Sequence, residues 1–338
     1  MLDLLKTLCA ASGVSGDEGE TREIIRAHAA EHSNDIFVDV MGNLIVKKSG
    51  KSRSDKTIMV CAHMDEVGVI VTSVTDDGFV KFACVGGIVR RVLLGKRVFF
   101  GKNRVPGVIG CRAIHQTSAD EREKIPAIAD LYIDIGASSR EEAETLVSLG
   151  DTGTFDPQTL EFGDGAFAAK AIDDRLGCAV MLELLASELP VDVTFVFTVQ
   201  EEVGARGAAT ASFAVAPDVA LILESTTAAD LPGVSEGKSV CKVGGGAVIP
   251  FMDGGTIYDK TLWNALTAAA TKRGIKWQTK RYISGGTDAQ VVQKSRAGVA
   301  TLAISAPVRN LHSPLCVGKT ADFEAVLECA RLFLELQA

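Results

Sequence analysis

The sequence predicts an α/β fold in which a mixed-sheet domain, built from both ends of the chain, is interrupted by a β-rich insert. Helical and strand patterns alternate up to about residue 66, give way to short glycine-punctuated strands over 67–165, and resume after Gly165. Alternating elements of this kind form a layered α/β domain. We therefore expect a discontinuous domain over 1–66 and 166–338, with an inserted domain over 67–165.

The elements before the insert follow from hydrophobic periodicity and from turn residues. They are predicted, in order, as helices over 1–11 and 18–32, strands over 35–40 and 44–48 around a turn at 41–43, and a buried strand over 57–61.

The insert combines short apolar runs with frequent glycines, as at 97–100 and 105–110. Many short strands separated by turns are typical of a small barrel or sandwich. One helix is predicted over 139–149, with Ser138 or Ser139 as its N-cap and two glutamates in its first turn.

The second α/β part is predicted from the same patterns, and we expect Thr320 to cap its last helix. Its elements, in order, are a helix over 174–185, strands over 193–199 and 219–223, a helix over 260–273, a strand over 300–304 and a helix over 321–336.

Composition excludes several classes of protein. The 338 residues are 47% hydrophobic and carry 43 acidic against 35 basic residues, a formal charge of −8. Such a chain can bury a large core but has no general attraction to nucleic acid or to anionic membranes. No apolar run approaches the roughly 20 residues that cross a bilayer. Eight scattered cysteines without a C-x-x-C pair indicate reduced thiols, so we expect a cytoplasmic protein.

Histidines and carboxylates follow several predicted strands, and an aspartate pair precedes a predicted helix. Ligands of an open α/β sheet bind outside the carboxyl ends of its strands, so these side chains could converge. Nitrogen and oxygen ligands of this kind suit zinc, cobalt or manganese. The candidate ligands are His63, Asp173, Glu202, Glu224 and His312.

Two further acidic residues have candidate roles beside this set. Glu201 remains as a general base, and Asp65, two residues after His63, can orient the imidazole through its other nitrogen. Taken singly, each feature has an ordinary explanation: an acidic pair is commonly a solvated surface, and Asp173 with Asp174 could cap a helix. The joint pattern favours a metal site.

The same segments resemble the M42 family of metallo-aminopeptidases, which includes glutamyl aminopeptidases and TET peptidases. The order and spacing of these motifs match across nearly the whole chain. They are AHMDEVG at 62–68, KAIDDRLG at 170–177, QEEVGARGA at 200–208, LESTTAADLP at 223–232, SGGTD at 284–288 and NLHSP at 310–314.

The resemblance implies a dinuclear peptidase domain with an inserted β-barrel, PDZ-like dimerisation domain. By motif, Asp173 would bridge the two ions, His63 and Glu224 would complete one site, and Glu202 and His312 the other. Glu201 would be the base and Asp65 would orient His63. Many members have aspartate at the Glu224 position, so the longer side chain could alter metal affinity there.

Resemblance also implies two divalent ions per subunit, short peptides as substrates, and self-association into dimers or a tetrahedral dodecamer. A glycoside hydrolase, which also uses paired carboxylates, and a catalytically silent peptide-binding assembly are the alternatives. The sequence leaves open the native metal and the preferred N-terminal residue.

Loop glycines in the second α/β part could let a peptide backbone approach closely, although plain turn chemistry is an alternative. Asp288 could instead be a helix cap. The predicted substrate-binding residues are Gly245, Gly246, Gly286, Thr287 and Asp288.

Overall fold

The computed structural model describes the backbone of residues 1–338 and the side chains of 1–235 and 237–338. Its helices are α1 (Leu2–Ala10), α2 (Gly19–Ala30), α3 (Ala119–Arg122), α4 (Arg140–Leu146), α5 (Ile172–Ala186), α6 (Arg206–Val215), α7 (Lys260–Arg273), α8 (Ala289–Val292) and α9 (Thr320–Glu335). Its strands are β1 (Asp35–Val38), β2 (Leu44–Lys48), β3 (Ile58–His63), β4 (Gly68–Val74), β5 (Val80–Val85), β6 (Arg97–Phe100), β7 (Val105–Gly110), β8 (Tyr132–Asp134), β9 (Thr152–Phe155), β10 (Leu160–Phe162), β11 (Ala166–Ala169), β12 (Val193–Thr198), β13 (Val219–Thr227), β14 (Ala247–Val248), β15 (Trp277–Gln278), β16 (Ala300–Val308) and β17 (Cys316–Lys319).

A mixed eight-stranded sheet forms the centre of the α/β part, in the order β1-β2-β12-β3-β13-β16-β14-β15. Its four central strands, β12, β3, β13 and β16, pair in parallel. Parallel strands are buried on both faces, which explains why the sequence shows them as continuous apolar runs. Their carboxyl ends lie at one edge of the sheet.

Helix α5 lies against the middle of this sheet, in contact with β3 and β13 and also with α1, α2 and α9. Nearly all of its residues are buried, as expected for a helix that is apolar around its whole circumference. The first turn of α5 therefore meets the sheet at the edge where β3 and β13 end.

Strands β4 to β9 form a closed antiparallel barrel in the order β4-β5-β8-β7-β6-β9. The barrel has its own core, which includes Val69, Phe82, Phe100 and Ile133. The predicted α/β fold with an inserted barrel is confirmed, while the boundary at residue 165 stays a prediction. Strand β10 pairs with β11, which in turn pairs with β17.

Helix caps and strand ends differ in part from the predictions. Ser139 caps α4 as predicted and accepts a hydrogen bond from the Glu142 N–H at 3.2 Å. Thr320 does not cap α9: β17 leads directly into the helix, Lys319 occupies the N-cap, and the Thr320 hydroxyl donates to the Gly165 carbonyl at 3.3 Å.

Strands β13 and β16 are both longer than predicted, because their parallel pairing continues as far as Thr227 and Val308. Glu224 therefore lies within a strand and not after one. Its polar neighbours are accommodated in the interior: Ser225 is buried and donates to the Ile172 carbonyl at 3.2 Å. Among the described residues, no helix is both long enough and apolar enough to cross a membrane.

Candidate metal centre

The predicted ligands converge at the carboxyl edge of the four parallel strands. His63 is the last residue of β3 and is in register with Thr198, the last residue of β12. Glu201 and Glu202 follow that strand, and His312 follows β16 in the chain. The sheet thus brings together segments that lie far apart in the sequence.

Asp173 lies between the two histidines. Its Oδ1 is 3.4 Å from His63 Nε2, and its Oδ2 is 3.6 Å from His312 Nε2. Glu224 Oε1 is 3.4 Å from His63 Nε2, and Glu202 Oε2 is 3.4 Å from His312 Nε2. Ligands about 2.1 Å from one tetrahedral ion are about 3.4 Å from each other, so these spacings suit two neighbouring ions.

The backbone places Asp173 and Asp174 apart from the regular turns of α5. Both have non-helical dihedral angles, and a cis peptide bond joins them. Asp174 Oδ1 accepts the Gly177 N–H at 2.9 Å, so this residue caps the regular part of the helix. Asp173 accepts no such bond and faces the histidines.

Asp65 holds His63 and the backbone of the two glutamates in place beside the candidate metal centre. His63 Nδ1 is 3.1 Å from the Asp65 backbone carbonyl and 3.4 Å from its carboxylate Oδ1, so backbone and side chain both face the ring. The carboxylate also accepts hydrogen bonds from the Ser15 hydroxyl at 2.5 Å and from the Glu201 and Glu202 N–H groups at 2.9 and 3.1 Å. A partner of this kind fixes the orientation of a ligand histidine.

Burial and interactions between neighbouring charges raise the pKa values of several side chains in the cluster. Burial raises the pKa of Glu202 to about 7, with the charge of Asp173 adding to the effect, and it raises the pKa of Glu201 and Glu224 well above the ordinary range. The contact with Asp173 raises the pKa of His312 to about 9. Carboxylates crowded in this way are costly unless cations neutralise them.

The donor set fits divalent ions. Asp173 Oδ1 and Asp174 Oδ2 are buried without a hydrogen-bond partner in the described part of the chain. Potential ligand atoms lie within 4.8 Å of one another in two groups, His63 with Asp173 and Glu202, and His63 with Asp174 and Glu224. Asp174 was not among the predicted ligands, although its place in the aspartate pair was a signal that could have found it.

A cavity of about 330 Å³ opens beside the cluster. Besides the ligands it is lined by Glu201, by the predicted residues Gly286 and Thr287, and by Lys280 and Ser284, which sequence reasoning missed. Lys280 carries no motif signal, because isolated lysines occur in most loops, whereas Ser284 opens the SGGTD motif at 284–288 and was not singled out within it.

Asp288 lies behind this wall and does not cap α8 with its side chain. It is buried, and its Oδ2 accepts the Thr198 hydroxyl at 2.6 Å. Burial raises the pKa of Asp288 to about 6.

The structure does not bring Gly245 and Gly246 to this cavity. A Cβ on Gly245 would lie 2.3 Å from Gln278 Nε2, and one on Gly246 would lie 2.1 Å from the Lys276 carbonyl oxygen. The Gly246 N–H donates to Asp322 at 2.7 Å. Close packing against the segment at β15 therefore explains these two glycines.

Comparison with known proteins agrees with this architecture. The M42 glutamyl aminopeptidase family matches residues 42–329. The lysyl aminopeptidase of Pyrococcus furiosus is 32% identical, over 98% of this chain and 96% of its own. The glutamyl aminopeptidase of Lactococcus lactis is also 32% identical, over 96% and 92%.

A solved structure of the Pyrococcus horikoshii TET1 peptidase, which can assemble into a tetrahedron or a large octahedral shell, is similar throughout. It is 33% identical, covers 98% of both chains and superposes with a TM-score of 0.87.

Fold and site together define a metal-dependent hydrolase whose candidate ligands lie at the carboxyl edge of a mixed sheet. The chain belongs to the M42 peptidase family. It is accordingly a metal-dependent aminopeptidase, a hydrolase that acts on peptides.

Proposed function

We propose that this aminopeptidase removes N-terminal residues from short peptides with two divalent ions per subunit, drawn from zinc, cobalt or manganese. The observation that carries the proposal is the position of Asp173, which directs one carboxylate oxygen towards each of the two histidines. His63 and Glu224 complete one ion site, and Glu202 and His312 complete the other. Asp174 stands close enough to His63 and Glu224 to serve the first site.

Glu201 is the proposed general base. Its carboxylate lines the cavity, its backbone N–H is held by Asp65, and no described residue donates a hydrogen bond to its side chain. Burial raises its pKa, which favours a group that accepts a proton and later releases it. When bound, the ions polarise the scissile carbonyl and lower the pKa of the attacking water. Glu201 takes the proton from that water and delivers it to the leaving amine.

The acidic lining explains exopeptidase action. The free amino group of a peptide N-terminus would sit against an ion or one of its carboxylate ligands, a place that an internal amide nitrogen, already bonded to the preceding residue, cannot take. Gly286 and Thr287 line the same cavity and are proposed to position the peptide, while Asp288 supports this wall through Thr198.

Self-association is proposed through the inserted domain over 67–165. Val89, Leu94 and Ile114 in this part of the chain are exposed apolar residues, and such residues favour a partner surface. The tetrahedron and the dodecamer formed by TET1 peptidase support a tetrahedral dodecamer, and a dimer is the smaller alternative. Light scattering of the metal-loaded protein tests this assembly. A monomer would contradict it.

A cytoplasmic location is also proposed. The eight cysteines are all free in the structure, and reduced thiols are typical of that compartment.

The deciding experiment is a panel of aminoacyl arylamides with acidic, basic and aliphatic residues, assayed with each metal and after chelation. We expect hydrolysis that a chelator abolishes and that one of the three metals restores. Hydrolysis of glucan substrates that persists under chelation would favour a glycoside hydrolase. Metal binding without any turnover would favour a silent peptide-binding assembly.

A further inference from the structure

A buried lysine stands in the wall of the proposed active-site cavity. Lys280 follows β15 and is only 4% exposed. Among the described residues that line the cavity, it alone is a lysine or arginine. Its Nζ donates to the Ser284 carbonyl at 3.3 Å, a neutral partner.

No described carboxylate lies within ion-pair distance of Lys280. Asp253 is the carboxylate that raises the pKa of Lys280 most, but it is not in contact with the ammonium, and its oxygens accept the Tyr258 hydroxyl and the N–H groups of Gly255 and Thr256. Glu224 is the next influence, and it belongs to the proposed ion sites. Metal binding would engage the Glu224 carboxylate and leave Asp253, which does not contact the ammonium, as the main negative charge near it.

An ammonium held out of water with no anion in contact is costly, and burial accordingly lowers the pKa of Lys280. A ligand carboxylate would offset this cost. The Ser284 hydroxyl is a second, independent indication of a ligand, because it is buried and has no hydrogen-bond partner in the described part of the chain. Ser284 also lines the cavity.

We propose that Lys280 and Ser284 bind the side-chain carboxylate of the substrate's first residue, so that the enzyme prefers peptides beginning with aspartate or glutamate. This inference rests on the proposed function. The depth of Lys280 favours the first side chain over the peptide's C-terminal carboxylate, since an aminopeptidase holds the N-terminus at the inner end of its cleft. Relatives carry both lysyl and glutamyl names, so family membership does not decide the preference.

The test compares glutamyl, leucyl and lysyl arylamides, none of which has a C-terminal carboxylate, on the metal-loaded enzyme. We expect kcat/KM to be highest for the glutamyl substrate. Lys280→Met should lower that value by about 10- to 100-fold, mainly through KM, and change the leucyl value by less than about 3-fold. Ser284→Ala should lower the glutamyl value in the same direction by a smaller factor.

Lys276→Met is the matched control, because Lys276 is exposed in the same segment and bonds the Gly244 carbonyl at 2.5 Å. It should leave the preference unchanged. A binding readout is independent of turnover: free glutamate should raise the melting temperature of the wild type and not that of Lys280→Met.

A wild-type preference for leucyl or lysyl substrates would overturn the inference, as would an undiminished glutamyl preference in Lys280→Met. Failure to hydrolyse any arylamide would instead contradict the proposed function. Glutamate binding that Lys280→Met abolishes would then still support the carboxylate site.

Discussion

The carboxylate of Asp65 accepts the backbone N–H of Glu201 at 2.9 Å. The same carboxylate accepts the Glu202 N–H and lies beside His63 Nδ1. The buried Asp65 side chain thereby fixes the ring of His63, a proposed ligand. It also fixes the backbone of Glu201, the proposed base, and of Glu202, a second proposed ligand. Asp65 connects the segments after β3 and β12 that the sheet has already brought side by side.

Asp65→Asn should weaken metal binding by about 10- to 100-fold, the usual cost of losing a partner that orients a ligand. Asparagine keeps the shape, but its NH₂ group cannot accept the N–H bonds that the carboxylate accepts. Competition with a chromogenic chelator measures the affinity. Asp39→Asn is the control, because Asp39 accepts the Gly42 and Asn43 N–H groups in a turn of the N-terminal hairpin. Equal affinities in the two variants would argue against the orienting role.

Glu201→Gln should keep its metal and lose about two to four orders of magnitude in kcat, since the amide cannot accept the proton from water. Metal analysis and steady-state kinetics on the same preparation measure both quantities. Glu202→Gln is the comparison and should lose metal, because Glu202 faces His312. Near-normal turnover by Glu201→Gln would mean that another group is the base.

Removal of the metal should destabilise the protein. Asp173 and Asp174 have buried carboxylate oxygens without a hydrogen-bond partner in the described part of the chain. Without cations, the negative charges of these aspartates and of the neighbouring glutamates repel one another. An ion at about 1,000 times its Kd adds about 4 kcal/mol to the free energy of unfolding, so chelation should lower Tm by about 5 °C or more. Thermal unfolding with and without chelator measures this. Asp173→Asn, with one ligand charge removed, should respond much less, and an equal response would speak against a centre built on Asp173.

A buried ion cluster next to the centre should be important for stability. Glu66 contacts Lys170 Nζ at 2.7 and 2.8 Å and Arg175 at 3.2 Å, and it accepts the Thr154 hydroxyl of the barrel. Glu66→Gln leaves buried cations unpaired and should lower the free energy of unfolding by about 3–5 kcal/mol.

Urea unfolding measures that loss. Asp76→Asn is the control: it removes an ion pair to Arg140 whose aspartate is 94% exposed, and it should cost far less than the loss of the buried pair because solvent screens exposed charges. Similar losses in the two variants would show that the buried cluster contributes no more to the free energy of unfolding than the exposed ion pair does.

Stability should depend on pH through Asp230 and Arg309, a pair at 2.7 Å near the start of the His312 loop. Burial alone would raise the pKa of Asp230, but hydrogen bonds from Arg309 and the Val243 N–H hold the pKa below its ordinary value. The pair's contribution is thus fully present above about pH 4, the ordinary pKa of an unfolded aspartate, and is lost as pH falls through the lower folded pKa.

The difference in unfolding free energy between wild type and Asp230→Asn should be constant above about pH 5 and shrink below about pH 4. Urea titrations across this range measure it. A difference that grows on acidification would contradict the assignment.

Sequence reasoning could predict that the candidate ligands converge, because each is close to an apolar run that had to be a buried strand or helix. His63 and Glu202 follow such runs, and parallel pairing then brings their segments together. The lengths of β13 and β16 escaped prediction, since Ser225 and Thr226 look like a strand end until the partner strand buries them.

Contacts between distant loops could not be predicted. Asp174 was passed over because its backbone conformation, not its spacing, exposes an unpaired oxygen to the cluster. Lys280 is a commonplace loop residue until the fold buries it in the cavity wall. Gly245 and Gly246 look like loop glycines beside a substrate, yet the register of β14 on β15 places them against Gln278 and Lys276.

The most direct test is titration of the chelated protein with zinc, cobalt or manganese while hydrolysis of an aminoacyl arylamide is followed. Because two ions are proposed to share Asp173, we expect no activity without metal and a plateau of activity at about two equivalents of metal per chain. Activity that survives chelation, or that saturates at one equivalent, would contradict a dinuclear centre.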